Sequence, residues 1–210
     1  MAAAVEARVN GGDHNDQLAK SIIDVWNDYL AVHRRLRSDP KLFIPYCEER
    51  LQYMKGDFYC YQSSKPDGKT KVNVQTKEGV QAINQTITYL QEKESISKPA
   101  LQHPYSSADL LLDLDLCILA QEHAEDLGEN GLTSHTGSSG HTPMQRAAIR
   151  GIKGSVYENL SFGNYETPTE CILNLLIDDG VKSRIHRELL FKPQISKLGI
   201  GFARHSVYKF

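Results

Sequence analysis

Two tetrapeptides with the same grammar divide the second half of the chain. Thr142-Pro143-Met144-Gln145 and Thr167-Pro168-Thr169-Glu170 each put a threonine at the N-cap, a proline at the first helical position and Gln or Glu three residues on. Such a capping box satisfies orphan amides at a helix start, so each fixes where a helix begins. Gly151 and Gly180 follow as the corresponding stops. A weaker box, Ser106 with Asp109, predicts a longer helix from Ser107 to Leu127 that ends at Gly128. Ser155 to Phe162, Leu198 to Ala203 and Ser206 to Phe210 have strand character.

The first half is helical in period. Leu18, Ile22, Val25, Trp26, Tyr29, Val32 and Leu36 recur at three- and four-residue spacing and predict a helix over 16–37. Asp39-Pro40 starts another, carrying Leu42, Phe43, Tyr46, Cys47, Leu51 and Met54, with Pro45 marking a kink or a later start. Residues 55–75 read as an exposed connection, with a turn at Lys65 to Gly68. Thr76 leads a helix through Val80, Ile83, Ile87 and Leu90, and residues 91–105 return to loop. Helices outnumber strands and the strands come late, which predicts an α+β fold with a helical N-terminal portion.

A hydrophobic fraction of 40% and a charged fraction of 24% are ordinary for a globular chain. A net charge of -2 gives no footprint for nucleic acid. No basic segment followed by an apolar run opens the chain, so no signal peptide is seen and a cytoplasmic location is expected, with cytoskeletal association as a variant. No stretch approaches the roughly 18 apolar residues of a membrane span. Cys47, Cys60, Cys117 and Cys171 are scattered and are expected to be reduced thiols.

Four short motifs remain. They are Ser134-His135-Thr136-Gly137, Glu158-Asn159-Leu160-Ser161-Phe162-Gly163, Ile177 to Gly180 followed by Ser183 to Arg187, and Leu198-Gly199-Ile200-Gly201. In this order and spacing, residues 40–210 resemble the CAP superfamily of cysteine-rich secretory, antigen 5 and pathogenesis-related proteins, and are most similar to its signal-less microbial and protist members. The resemblance implies an α-β-α sandwich over 40–210, with residues 1–39 as a helical N-terminal extension. It also implies a groove holding His135, Glu158, Asp178 and His186, with Asp179 or Glu188 as alternatives to Asp178. Tyr157, Ile185 and Leu189 depart from the family pattern, and bulky residues at two of these positions are expected to narrow or fill that groove. The chain stops in an expected strand at Phe210, where the family continues into one more, so a shortened sheet is expected.

Two imidazoles and two carboxylates in one groove suit a divalent metal such as zinc. His135 and His186 would be the ligands, and Glu158, Asp178, Asn159 and Arg187 would surround and orient them. Arg146 and Arg187 are expected to tie the motif loops to carboxylates. Glu158 alternatively receives backbone hydrogen bonds in a purely structural network. His141 is either a third ligand or a loop histidine, while His14, His33, His103, His123 and His205 read as solvated or capping. No nucleophile stands out, and Ser134, Ser138 and Ser139 read as loop serines.

Three functions follow from this resemblance and chemistry. The first is a non-enzymatic CAP-type module binding a small apolar ligand, a lipid or a protein. The second is a structural subunit of a larger cytoplasmic or cytoskeletal assembly with a vestigial groove. The third is a metal-dependent hydrolase or peptidase with Glu158 as base. Binding and structural roles rank above the enzyme.

Overall fold

The computed structural model describes residues 2–3, 14–62, 71–94, 110–163, 165 and 167–208. Helix α1 (His14–Ser38) sends Tyr29, Leu30 and Leu36 into the core. Asp39 then accepts the Lys41 amide at 3.1 Å, and a 3-10 turn, Pro40–Phe43, leads into α2 (Ile44–Gln52). Pro45 therefore stands in the first turn of a helix and kinks none, because its missing amide is not needed there.

Residues 55–75 are not a plain connection. Strands β2 (Met54–Lys55), β3 (Phe58–Gln62) and β4 (Lys71–Gln75) form an antiparallel meander, with Tyr59 opposite Val74 and Tyr61 opposite Val72. Aromatic and β-branched residues favour this pairing. It was hidden in the sequence because β4 is exposed at every position except Val72. The turn expected at Lys65 to Gly68 lies outside the described residues. Helix α3 (Val80–Glu92) starts after Gly79 and not at Thr76, whose hydroxyl donates to the Asp57 carbonyl at 2.7 Å.

The long helix also starts later than expected. Leu111–Leu112 is strand β5, Asp113 caps α4 (Leu114–Asn130) by accepting the Leu116 amide, and Ser106 and Asp109 lie outside the described residues, as does most of the loop expected over 91–105. Gly128 does not end α4; a Cβ there would stand 2.1 Å from the Arg204 carbonyl oxygen, so glycine serves close packing. The stop is Gly131, in the left-handed conformation at φ 65. Helices α5 (Pro143–Ile149) and α6 (Pro168–Ile177) begin with both reciprocal bonds of their capping boxes in place.

The later strands are short. Strand β6 (Leu160–Ser161) pairs in parallel with β1 (Ala2–Ala3), and after α7 (Ile185–Leu190) strand β7 (Lys197–Leu198) pairs in parallel with β5. Only these fragments of the expected strands 155–162 and 198–203 make ladders, apart from one isolated bridge residue at Gly201. Gly199 and Gly201 instead press on α4, where a Cβ would meet the Leu116 and Ala120 backbones at 2.1 and 2.2 Å. Ser206 to Tyr208 form a turn and not a strand, with residues 209–210 outside the description.

The result is a mixed α/β fold. Its core centres on α6, where Cys171, Ile172, Leu173, Leu175, Leu176 and Ile177 are all buried. Each such apolar side chain contributes about 1.5–3 kcal/mol, an upper estimate against an extended unfolded chain. Helix α1 belongs to this same core and is locked to the chain's last third: fully buried Arg37 donates to the carbonyls of Ile195 (2.9 Å) and Lys192 (2.5 Å). Among the described residues no helix is long and apolar enough to cross a membrane. All four cysteines are free thiols, and Cys47, Cys117 and Cys171 are buried.

Candidate functional site

Helix α6 ends at Asp178, a non-glycine residue in the left-handed region at φ 53. That conformation turns the buried carboxylate toward the start of α7. Oδ2 accepts the backbone amide of His186 at 3.0 Å and Oδ1 accepts its ring Nδ1 at 2.7 Å. A carboxylate oxygen accepts here, so Nδ1 is the donor of this contact. The neighbouring Asp179 does different work, accepting the amides of Lys77 (2.6 Å) and Glu78 (2.8 Å) ahead of α3. Glu188 is exposed. Of the three acids considered, Asp178 is the one that faces His186.

The second histidine is arranged the same way. Glu158 Oε1 lies 2.9 Å from His135 Nδ1, and Oε2 accepts from Arg146 at 2.6 Å. Arg146 also donates to the carbonyls of His135 and His141, both at 2.9 Å, so one guanidinium fixes loop and carboxylate together. Burial works against charge on Glu158, but the His135 bond and the charges of His123 and Arg146 outweigh it and hold the carboxyl below its usual range. The two halves are coupled through the next residue, for Asn159 donates from Nδ2 to the His186 carbonyl at 3.1 Å.

His123 was not expected in this cluster. It is buried on α4, and its Nε2 lies 3.6 Å from Glu158 Oε1. Burial pushes its imidazole below the usual range. The signal was present in the sequence, since Leu119, His123 and Leu127 stand four apart on one apolar stripe of α4.

Other expectations resolve individually. His33 is neither solvated nor a cap but buried, with Nε2 2.8 Å from the Leu190 carbonyl. His205 is likewise buried; its Nε2 meets the Leu132 carbonyl at 2.9 Å, and its Nδ1 accepts the Val207 and Tyr208 amides. The side chain of His14, and His103 altogether, fall outside the described residues. His141 Nδ1 pairs with Ser139 Oγ at 3.0 Å, a loop contact, and Ser134 and Ser138 bond to the Thr136 amide and to Asp126. Among the described residues the Arg187 guanidinium does not reach a carboxylate. It is buried, donates to Leu176 and Ile177 carbonyls and Thr86 Oγ1, and lies 5.2 Å from the Tyr89 ring centre.

Each pair, His135 with Glu158 and His186 with Asp178, has the carboxylate–imidazole arrangement that orients a metal-binding histidine. Among the described residues Nε2 of neither ring has a protein partner, and an imidazole lone pair is a donor of the kind a divalent cation takes. No group of three His, Cys, Asp or Glu among the described residues could hold a metal ion. The remaining ligands of such an ion would come from water or a bound molecule.

Glu158 and Asn159 also form part of the wall of a cavity of about 760 Å3. Among the described residues it is lined by neither His135, Asp178 nor His186, but Tyr157 and Leu189 do line it. Ile185 is 48% exposed at the start of α7.

No curated protein and no solved structure matches the chain. The sequence model of the cysteine-rich secretory protein family, CAP, matches residues 104–210, a stretch that contains all four residues of the paired arrangement. This protein therefore belongs to the CAP family of cysteine-rich secretory proteins.

Proposed function

We propose that the protein is a non-enzymatic CAP-type binding module, built as an α-β-α arrangement, whose His135 and His186 can hold a divalent cation such as zinc. The observation that carries this reading is the matched pair of Nδ1 contacts, 2.9 Å to Glu158 and 2.7 Å to Asp178, with neither Nε2 bonded by any of the described residues. Bound metal would supply a Lewis-acidic anchor for a partner group. His135 and His186 would hold it, and Glu158 and Asp178 would keep the rings in place.

Glu158 argues against the hydrolase reading. Both its oxygens are engaged, by His135 and Arg146, and these neighbours hold it ionised below the usual range. A general base works best with a pKa near the operating pH, so this carboxylate is a poor one. Titrating zinc while following the ring resonances of both histidines tests the cation site. The reading expects His135 and His186 to respond together, at one stoichiometric equivalent; a response from other histidines alone would refute it.

A further inference from the structure

Strand β4 is an outer strand of the meander, and among the described residues it pairs with β3 alone. Two bonds fix where its backbone groups point. Cys60 donates its amide to the Tyr53 carbonyl on the β2 side, whereas the Asp57 carbonyl accepts the Thr76 amide on the β4 side. Backbone direction alternates along a strand, so Tyr59 and Tyr61 face β4 and exchange bonds with Val74 and Val72. The amides and carbonyls of Lys71, Asn73 and Gln75 therefore point away from β3, along the outer edge. Such an edge is a template for another strand unless it is very short, bulged or guarded by proline or charge. Strand β4 has five residues in one-to-one register, no proline, and a single charge, Lys71, at its end.

The side chains say which strand fits. Tyr59, Tyr61, Val72 and Val74 share one face of the meander. The tyrosines are half-buried, their rings stacked 4.8 Å apart with the Arg50 guanidinium 4.6 Å from the Tyr59 ring centre, but Val74 at the edge is 46% exposed. Lys71, Asn73 and Gln75 make the other face polar. The strand thus alternates symmetrically about Asn73. An antiparallel second copy with its two-fold axis at Asn73 sets Val72 against Val74, Lys71 against Gln75 and Asn73 against itself. This register also uses the outward backbone groups, because residues 71, 73 and 75 are the ones it requires to exchange bonds. The two Lys71 side chains stand at opposite ends, about 14 Å apart along the strand, which exceeds the Debye length of about 10 Å at about 0.1 M salt.

We propose that β4 pairs antiparallel with β4 of a second copy of this chain, joining two three-stranded meanders into one sheet about a two-fold axis at Asn73. Three facing pairs supply about six backbone hydrogen bonds, which at one per 100–200 Å2 correspond to about 600–1,200 Å2 of buried surface. Stable interfaces bury about 1,200–2,000 Å2, so this dimer is weak and forms as concentration rises. The meander precedes residues 104–210, which the family model matches, and the inference rests neither on the histidine pair nor on a cation there.

The test follows sedimentation equilibrium and amide hydrogen exchange of the full chain from micromolar to millimolar concentration, with Asn73→Lys and Asn73→Asp alongside. The parent should show a monomer–dimer equilibrium in which exchange at Lys71, Asn73 and Gln75 slows as concentration rises. The Val72 and Val74 amides, which face β3, should be protected throughout. Asn73 is exposed, so either charge is compatible with the monomer fold. Each variant alone sets like charges against each other on the axis and should weaken self-association by about fivefold or more, whereas an equimolar mixture of the two should restore it. Four results would overturn the proposal. They are a monomer at every concentration, protection of the Lys71, Asn73 and Gln75 amides that is independent of concentration, a dimer that both variants form as tightly as the parent, and no recovery in the mixture.

Discussion

Asp178 holds His186 at two points, accepting the backbone amide at 3.0 Å and the ring Nδ1 at 2.7 Å. The contact joins the end of α6 to the start of α7 and sets the ring's direction in the same step. Because Asp178 sits at φ 53, the turn and the site are one feature.

Replacing Asp178 with alanine should cost about 2–3 kcal/mol, since two donors lose a buried charged acceptor and a Cβ residue without a polar side chain must keep a left-handed backbone. Asp178→Asn keeps the conformation accessible and should cost less. Urea denaturation of the two variants checks the order.

Glu158 and His135 should separate stability from binding. The Glu158 and Arg146 side chains are 11% and 12% exposed, so Glu158→Ala strands a nearly buried cation and should cost about 3–5 kcal/mol. The His135 side chain is 50% exposed, so His135→Ala should change stability by less than about 1 kcal/mol. Equal destabilisation by the two changes would show that the loop, and not the ion pair, carries the energy.

His33 predicts a pH dependence. Its folded pKa of about 4 lies below the ordinary 6.5, so the unfolded chain binds the proton first. Its contribution is complete above pH 6.5 and is lost as pH falls from 6.5 toward about 4, by up to about 3 kcal/mol. His123 shifts in the same direction and adds to the loss. Denaturation at pH 7 and pH 4.5 should show the difference, and His33→Gln should flatten it.

Gly201 meets the α4 backbone closely enough that a Cβ would lie 2.2 Å from Ala120. Gly201→Ala should therefore cost about 3 kcal/mol or more by forcing backbone apart. Thermal melts of this variant against Gly140→Ala, where nothing lies within 4 Å of an added Cβ, separate overpacking from strain at φ +80 alone.

Local signals were the legible part of this sequence. Thr142 and Thr167 announced α5 and α6 because a capping box is settled within four residues. The four motif residues could be named because their neighbours are distinctive in sequence. What was illegible depends on distant partners. Leu111 and Leu112 read as helix until β7 pairs with them, and Gly128 read as a stop although the Arg204 carbonyl makes it a packing residue. The β3–β4 pairing was missed because β4 is largely exposed and β3 half-buries three successive residues, so neither shows hydrophobic alternation. His33 was missed because its burial on a helix face belongs to the tertiary fold and carries no motif, whereas the apolar stripe of Leu119 and Leu127 around His123 was a signal left unread.

The most direct measurement is a calorimetric zinc titration of the purified chain beside the His135→Ala/His186→Ala double variant. The account predicts one saturable site in the parent chain and none in the variant, with both showing the same cooperative unfolding. Zinc binding that survives the double substitution, or no binding in the folded parent, would contradict it.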